Sequence, residues 1–190
     1  MEDMQKQNFD LITEMIQTAR KEFNDSSSIY LLWGWVICIA SLLEFILIQM
    51  HYDNISGIGW PILLPIAFVC QIVIMVRNKN KEKVKTHIDT IMGYLWSSFG
   101  ISLGIVLFSY SRLQANTLPM VLMLYAIGTF VSGGAMQVRA LIVGGIACWV
   151  IAIACFFVSA QDQILLLAIA VIVAYIIPGY ILKIRHRKHV

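Results

Sequence analysis

The chain has 190 residues, 59% hydrophobic and 13% charged, with a formal net charge of +3 and a mean hydropathy of +0.77. Soluble domains carry ~25% charged residues, so too little polar surface exists here to coat a water-soluble core. The composition excludes the soluble classes and indicates an integral membrane protein.

In chain order, residues 4–23 come first. Met4, Leu11, Ile12, Met15, Ile16, Ala19 and Phe23 fall on one stripe at helical spacing, which predicts an amphipathic helix. Residues 1–28 hold three basic and six acidic side chains, whereas helices that lie on anionic lipid are rich in Lys and Arg. The expected counterpart of this helix is therefore protein: either the basic 77–90 loop or a separate soluble partner. Residues 1–28 are read as a cytoplasmic helix and hinge, 29–183 as the transmembrane domain, and 184–190 as a basic cytoplasmic tail.

Apolar runs of the length that crosses a bilayer lie at about 30–50, 58–76, 91–110, 118–136, 139–158 and 163–183. The fold class is accordingly all-α, a bundle of six transmembrane helices. Thirteen of the fourteen Lys and Arg residues fall on the N-terminal side of the membrane if the spans alternate, and only Arg112 falls opposite. Basic residues in short loops are retained in the cytoplasm, which predicts both termini inside. The first span is expected to serve as an uncleaved anchor.

Lipid supplies no hydrophobic drive between helices, so close approach through small residues marks packing faces. Gly93, Ser97, Gly100, Gly104 and Ser111 predict such a face on the third span. Gly128 and Ser132 predict one on the fourth, Gly144, Cys148, Ala152 and Cys155 on the fifth, and Ala170, Ala174 and Pro178 on the sixth. These faces also leave room for a homo-oligomer. Ser132, Gly133 and Gly134, followed by Gln137 and Arg139, supply the break between the fourth and fifth spans. Pro65 and Pro178 should bend their helices. Trp33, Trp35, Trp60, Tyr110, Tyr175 and Tyr180 read as interfacial aromatics. Cys38, Cys70, Cys148 and Cys155 all fall within spans without metal-ligand spacing, and read as small apolar residues.

Two groups of residues are candidates for function. Glu44 is the one acidic residue well inside a span, where an acid costs ~2.5 to 3.5 kcal/mol near the helix centre and needs a partner. His51, Tyr110 and Arg112 are the expected partners, forming a buried polar site. The second group is a cytoplasmic docking surface, with Glu14 on the amphipathic helix and Lys79, Lys81, Lys83 and Lys85 on the basic loop. No zinc-binding His pair, phosphate loop or Cys-x-x-Cys is present. The Gly128 to Gly133 stretch lacks the glycine of the rhomboid-protease serine motif, since Phe130 stands there, and no span offers a His to activate Ser132. No enzyme activity, cofactor or nucleic-acid partner is expected.

Leu31-Leu32-Trp33-Gly34-Trp35, the Leu141 to Trp149 segment (LIVGGIACW) and Ile176-Ile177-Pro178-Gly179-Tyr180 carry a resemblance. In them the chain resembles uncharacterised bacterial six-span membrane proteins with an N-terminal amphipathic helix. The resemblance implies the topology and no activity. The expected function is that of a non-enzymatic regulatory or scaffold component that binds a partner. The alternative is a small-solute binding or transport protein with a cavity around Glu44, similar in size and topology to the substrate-binding subunits of vitamin importers.

Overall fold

A computed structural model describes residues 28–79 and 87–181. These residues form six long helices: α1 (Ser28–Gln49), α2 (Gly59–Lys79), α3 (His87–Phe108), α4 (Thr117–Ala135), α5 (Arg139–Cys155) and α6 (Ala160–Ile181). Short helical turns bridge α1 to α2 (Asp53–Ile58) and α3 to α4 (Tyr110–Leu113 and Gln114–Asn116). The all-α expectation holds. Apart from α5, every one of these helices belongs to a stretch long and apolar enough to cross a membrane. The residues read as the amphipathic helix and the 184–190 tail lie outside the described residues.

The fifth span is shorter than expected. α5 ends at Cys155, after 17 residues, which at 1.5 Å per residue is a little less than the hydrocarbon thickness of about 30 Å. Two local interactions stop it. Gln163 Nε2 donates to the Cys155 carbonyl at 2.9 Å, capping the helix end from α6. Ser159, in extended conformation, accepts from the Asp162 amide and so opens α6 just beyond.

Two reversals share one device. After α1, Tyr52 N–H bonds to Leu47 and His51 N–H to Ile48, with His51 at φ +63°. After α4, Val138 N–H bonds to Gly133 and Gln137 N–H to Gly134, with Gln137 at φ +55°. Both are Schellman closures, in which one left-handed residue lets two amides satisfy the last carbonyls. The α4–α5 break therefore sits at Gln137. Gly133, expected to break the helix, is inside α4, where it lets α5 come close.

The core is built by α1, α4, α5 and α6, and glycine fixes how near these helices approach. A Cβ on Gly133 would lie 2.7 Å from Ile142 N, and one on Gly145 2.8 Å from Phe130 N, so α4 and α5 touch backbone to backbone. The Gly144 position meets Ala174 Cα at 2.8 Å, joining α5 to α6. Gly179 meets Leu31, and Gly34 meets Tyr175 and Ile176, joining α6 to α1. Such contacts are the usual source of helix association in lipid. Leu122, Ala126, Leu141, Cys148, Ala152, Leu167 and Ala170 fill the space between.

The third span contradicts its small-residue expectation. Gly93, Gly100 and Gly104 have nothing within 4 Å of where a Cβ would stand, and Ser97 is exposed. α3 packs through a different face, where Trp96 and Phe99 lie about 3.8 Å from where a Cβ on Gly128 would stand. Large rings bridge a gap that the small residues would have closed only by direct backbone contact.

Candidate functional site

Glu44 is half-buried on α1, and Trp60 of α2 meets it. The indole Nε1 donates to Glu44 Oε2 at 2.6 Å. A second bond of the same kind runs the other way, from Trp33 Nε1 on α1 to Gln71 Oε1 on α2, also at 2.6 Å. Trp33 and Glu44 are eleven residues apart, as are Trp60 and Gln71. Eleven residues are three turns of helix, so each pair shares one face, and the two bonds form rungs about 16 Å apart along an antiparallel hairpin. Gly59, packed on Ala40 and Leu43, lets the hairpin close beside the rung nearer its turn.

The other residues expected around Glu44 stand away from it. His51 is exposed and forms the left-handed closure of α1. Tyr110 and Arg112 are exposed, on the helical turn Tyr110–Leu113 that comes after α3. Sequence reasoning missed Trp60, which it assigned to the interfacial belt. Of the docking surface, Lys79 closes α2, while Glu14, Lys81, Lys83 and Lys85 lie outside the described residues.

The largest concentration of aromatic and hydroxyl groups lies elsewhere, in the core. Five rings form a closed circuit through four helices. Tyr30 of α1 contacts Trp96 of α3 at 6.5 Å between centroids, Trp96 contacts Phe99 at 5.3 Å, and Phe99 contacts Tyr125 of α4 at 5.0 Å. Tyr125 contacts Tyr175 of α6 at 5.6 Å, and Tyr175 returns to Tyr30 at 5.6 Å. Most of these contacts are edge-to-face, the arrangement that aligns a ring's positive edge with its neighbour's negative face, worth ~0.5 to 1.5 kcal/mol a pair beyond burial. Tyr175, read from sequence as interfacial, is 2% exposed.

Hydroxyls line this circuit. Thr129 Oγ1 donates to the Tyr125 carbonyl at 2.7 Å, leaving its lone pairs toward the Tyr175 hydroxyl 3.3 Å away. The Tyr30 and Ser132 hydroxyls are both buried. The sequence signal was available: Tyr125 and Tyr175 are mid-span tyrosines, next to Ala126 and Ala174, rather than at span ends. Nothing in this arrangement resembles a metal centre, and among the described residues no three His, Cys, Asp or Glu side chains gather.

Two depressions on the surface of the described residues are notable. One lies among His51, Tyr52, Asn54 and Ile55 at the α1–α2 turn, and the other is an apolar groove between α5 and α6. Compared with known proteins, the chain matches no family model, no curated protein and no solved structure.

Proposed function

We propose that this chain is a non-enzymatic component of a bacterial inner membrane that binds a protein partner through its cytoplasmic basic loop and has both termini in the cytoplasm. The observation that carries the reading is where the loop is attached. The loop joins α2, which ends at Lys79, to α3, which begins at His87, and of the five span-length stretches theirs are the least buried: 11% and 0%, against 50% for that of α4 and 56% for α6. Elements with few buried contacts are the ones that shift at low free-energy cost. A partner on the loop can therefore act on α2 and α3 at lower cost than on α4 or α6. Glu44 fits this reading as a hairpin rung, its carboxyl already engaged by Trp60.

The test is copurification in mild detergent with mass spectrometry of both proteins and small molecules, using the wild-type chain and a variant with Lys79, Lys81, Lys83 and Lys85 all changed to Ser. The expected result is a protein partner that is lost with the four lysines while the melting curve is unchanged. A small solute that copurifies with both chains and is lost on Glu44→Gln would replace this reading with solute binding.

A further inference from the structure

We infer that the groove between α5 and α6 is a binding site for one anionic phospholipid, its phosphate at Arg139 and an acyl chain along Val143, Val173 and Ile177. The groove has a volume of about 280 Å³ and is lined by apolar side chains except at one end, where Arg139 stands. Gly144 and Pro178, both buried, form its floor. Its origin is physical. Because Gly144 meets the backbone of Ala174 directly, no side chain fills the seam there, while the exposed Val143 and Ile177 stand up on either side. Along α6 the depression runs from Val173 to Ile181, about 12 Å at 1.5 Å per residue, which is enough for the upper part of an acyl chain below its headgroup.

Charge selects the headgroup. Arg139 is the first residue of α5, whose first turn holds no acidic side chain and whose start no side chain caps. A cation at a helix N-terminus opposes the macrodipole, whereas an anion there is stabilised by the free amides. The arrangement is therefore unfavourable by itself and favourable around a phosphate, which the guanidinium and the first amides can share. Beyond Ile181 the sequence continues through Lys183, Arg185, Arg187 and Lys188 with no acidic residue. Basic pockets between membrane helices take anionic headgroups for these reasons.

Native mass spectrometry of the full chain in neutral detergent micelles, titrated with dioleoyl phosphatidylglycerol or dioleoyl phosphatidylcholine, tests the site. The expected result is a single adduct favouring phosphatidylglycerol by about fivefold, the equivalent of the ~1 kcal/mol that one basic residue contributes near an anionic surface. Arg139→Gln should abolish the preference and Arg139→Lys should keep it. Val143→Trp, at an exposed position where folding is undisturbed, should reduce the adducts of both lipids. Equal binding of the two lipids to the wild-type chain, or a preference that survives both Arg139→Gln and Val143→Trp, would overturn the inference. Displacement of the adduct by inorganic phosphate alone would assign the site to a free anion and overturn it equally.

Discussion

α3 and α6 are both long apolar helices, yet 56% of the most apolar stretch of α6 is buried and none of that of α3. Each carries small residues at helical spacing. In α6, Ala174 and Gly179 meet Gly144 and Leu31 at distances that exclude any larger side chain; in α3, Gly93, Gly100 and Gly104 face open space. A small residue permits close approach but does not cause it. What decides is whether another backbone lies within reach, and α3 is held off at ring distance by Trp96 and Phe99.

The comparison breaks most visibly at the aromatic circuit. Tyr175→Ala should cost about 4 kcal/mol, the range found when a large buried aromatic is truncated and its cavity does not collapse. Phe108→Ala in α3, where the ring is 92% exposed, should stay within ~0.5 kcal/mol of wild type. Thermal or SDS-titrated unfolding followed by circular dichroism separates the two. Comparable losses would show that the inner and outer helices unfold as one equally packed body.

Glycine gives the next largest contrast. Gly144→Val puts atoms within 2.8 Å of Ala174 Cα and should cost about 3 kcal/mol, since backbone cannot yield as a side-chain end can. Gly104→Val in α3 meets nothing and should be neutral or slightly stabilising, because glycine is the poorer helix former. A loss at Gly104 as large as that at Gly144 would mean that a second copy of the chain covers the α3 face in the detergent-solubilised protein.

The α1–α2 hairpin lies between these extremes, with one polar rung near each end. Trp60→Phe removes the donor to Glu44 and should cost about 1 to 2 kcal/mol, because the acceptor stays half-buried without it. Glu44→Gln retains an oxygen that accepts and should cost less than ~0.5 kcal/mol. If Glu44→Gln were the more damaging of the two, the carboxylate would be engaged by something other than Trp60.

The number of long helices was legible in sequence, because a bilayer's thickness is written directly into the length of apolar runs, but the end of α5 was not, since Gln163 and Ser159 stop it at Cys155. Lateral arrangement was not, because the lipid-facing and helix-facing sides of a span are equally apolar. The hairpin rungs were half legible. Glu44 stood out as an intramembrane acid and Gln71 as a polar group, and the eleven-residue spacing from Trp33 to Glu44 and from Trp60 to Gln71 would have paired them. An interfacial reading of tryptophan concealed it. Tyr175 was misplaced for the same reason: belts of aromatics are common enough that a tyrosine at the interior of a bundle looks ordinary until its neighbours, Ala174 beside it and Gly34 across from it, show how deep it sits.

The smallest expected effect concerns the reversals, where inner and outer parts of the molecule use the same geometry. His51 closes α1 on the hairpin that carries the sparsely buried α2, and Gln137 closes α4 inside the core pair, each in left-handed conformation. A side chain in that conformation is destabilised by ~1 to 2 kcal/mol relative to the right-handed one, and glycine relieves this at some entropic cost in the unfolded chain. His51→Gly and Gln137→Gly should therefore each stabilise by about 0.5 to 1 kcal/mol, measured as a rise in melting temperature in detergent. The two turns differ in the residue that succeeds them. Val138, just beyond Gln137, is buried against the core and independently fixes the chain direction, whereas Tyr52, just beyond His51, is exposed. Relief at Gln137 should thus appear in full, while at position 51 the added freedom of glycine is unopposed and the gain should be the smaller. A gain at position 51 larger than that at 137 would place the α1 closure, rather than the core hairpin, under the tighter constraint.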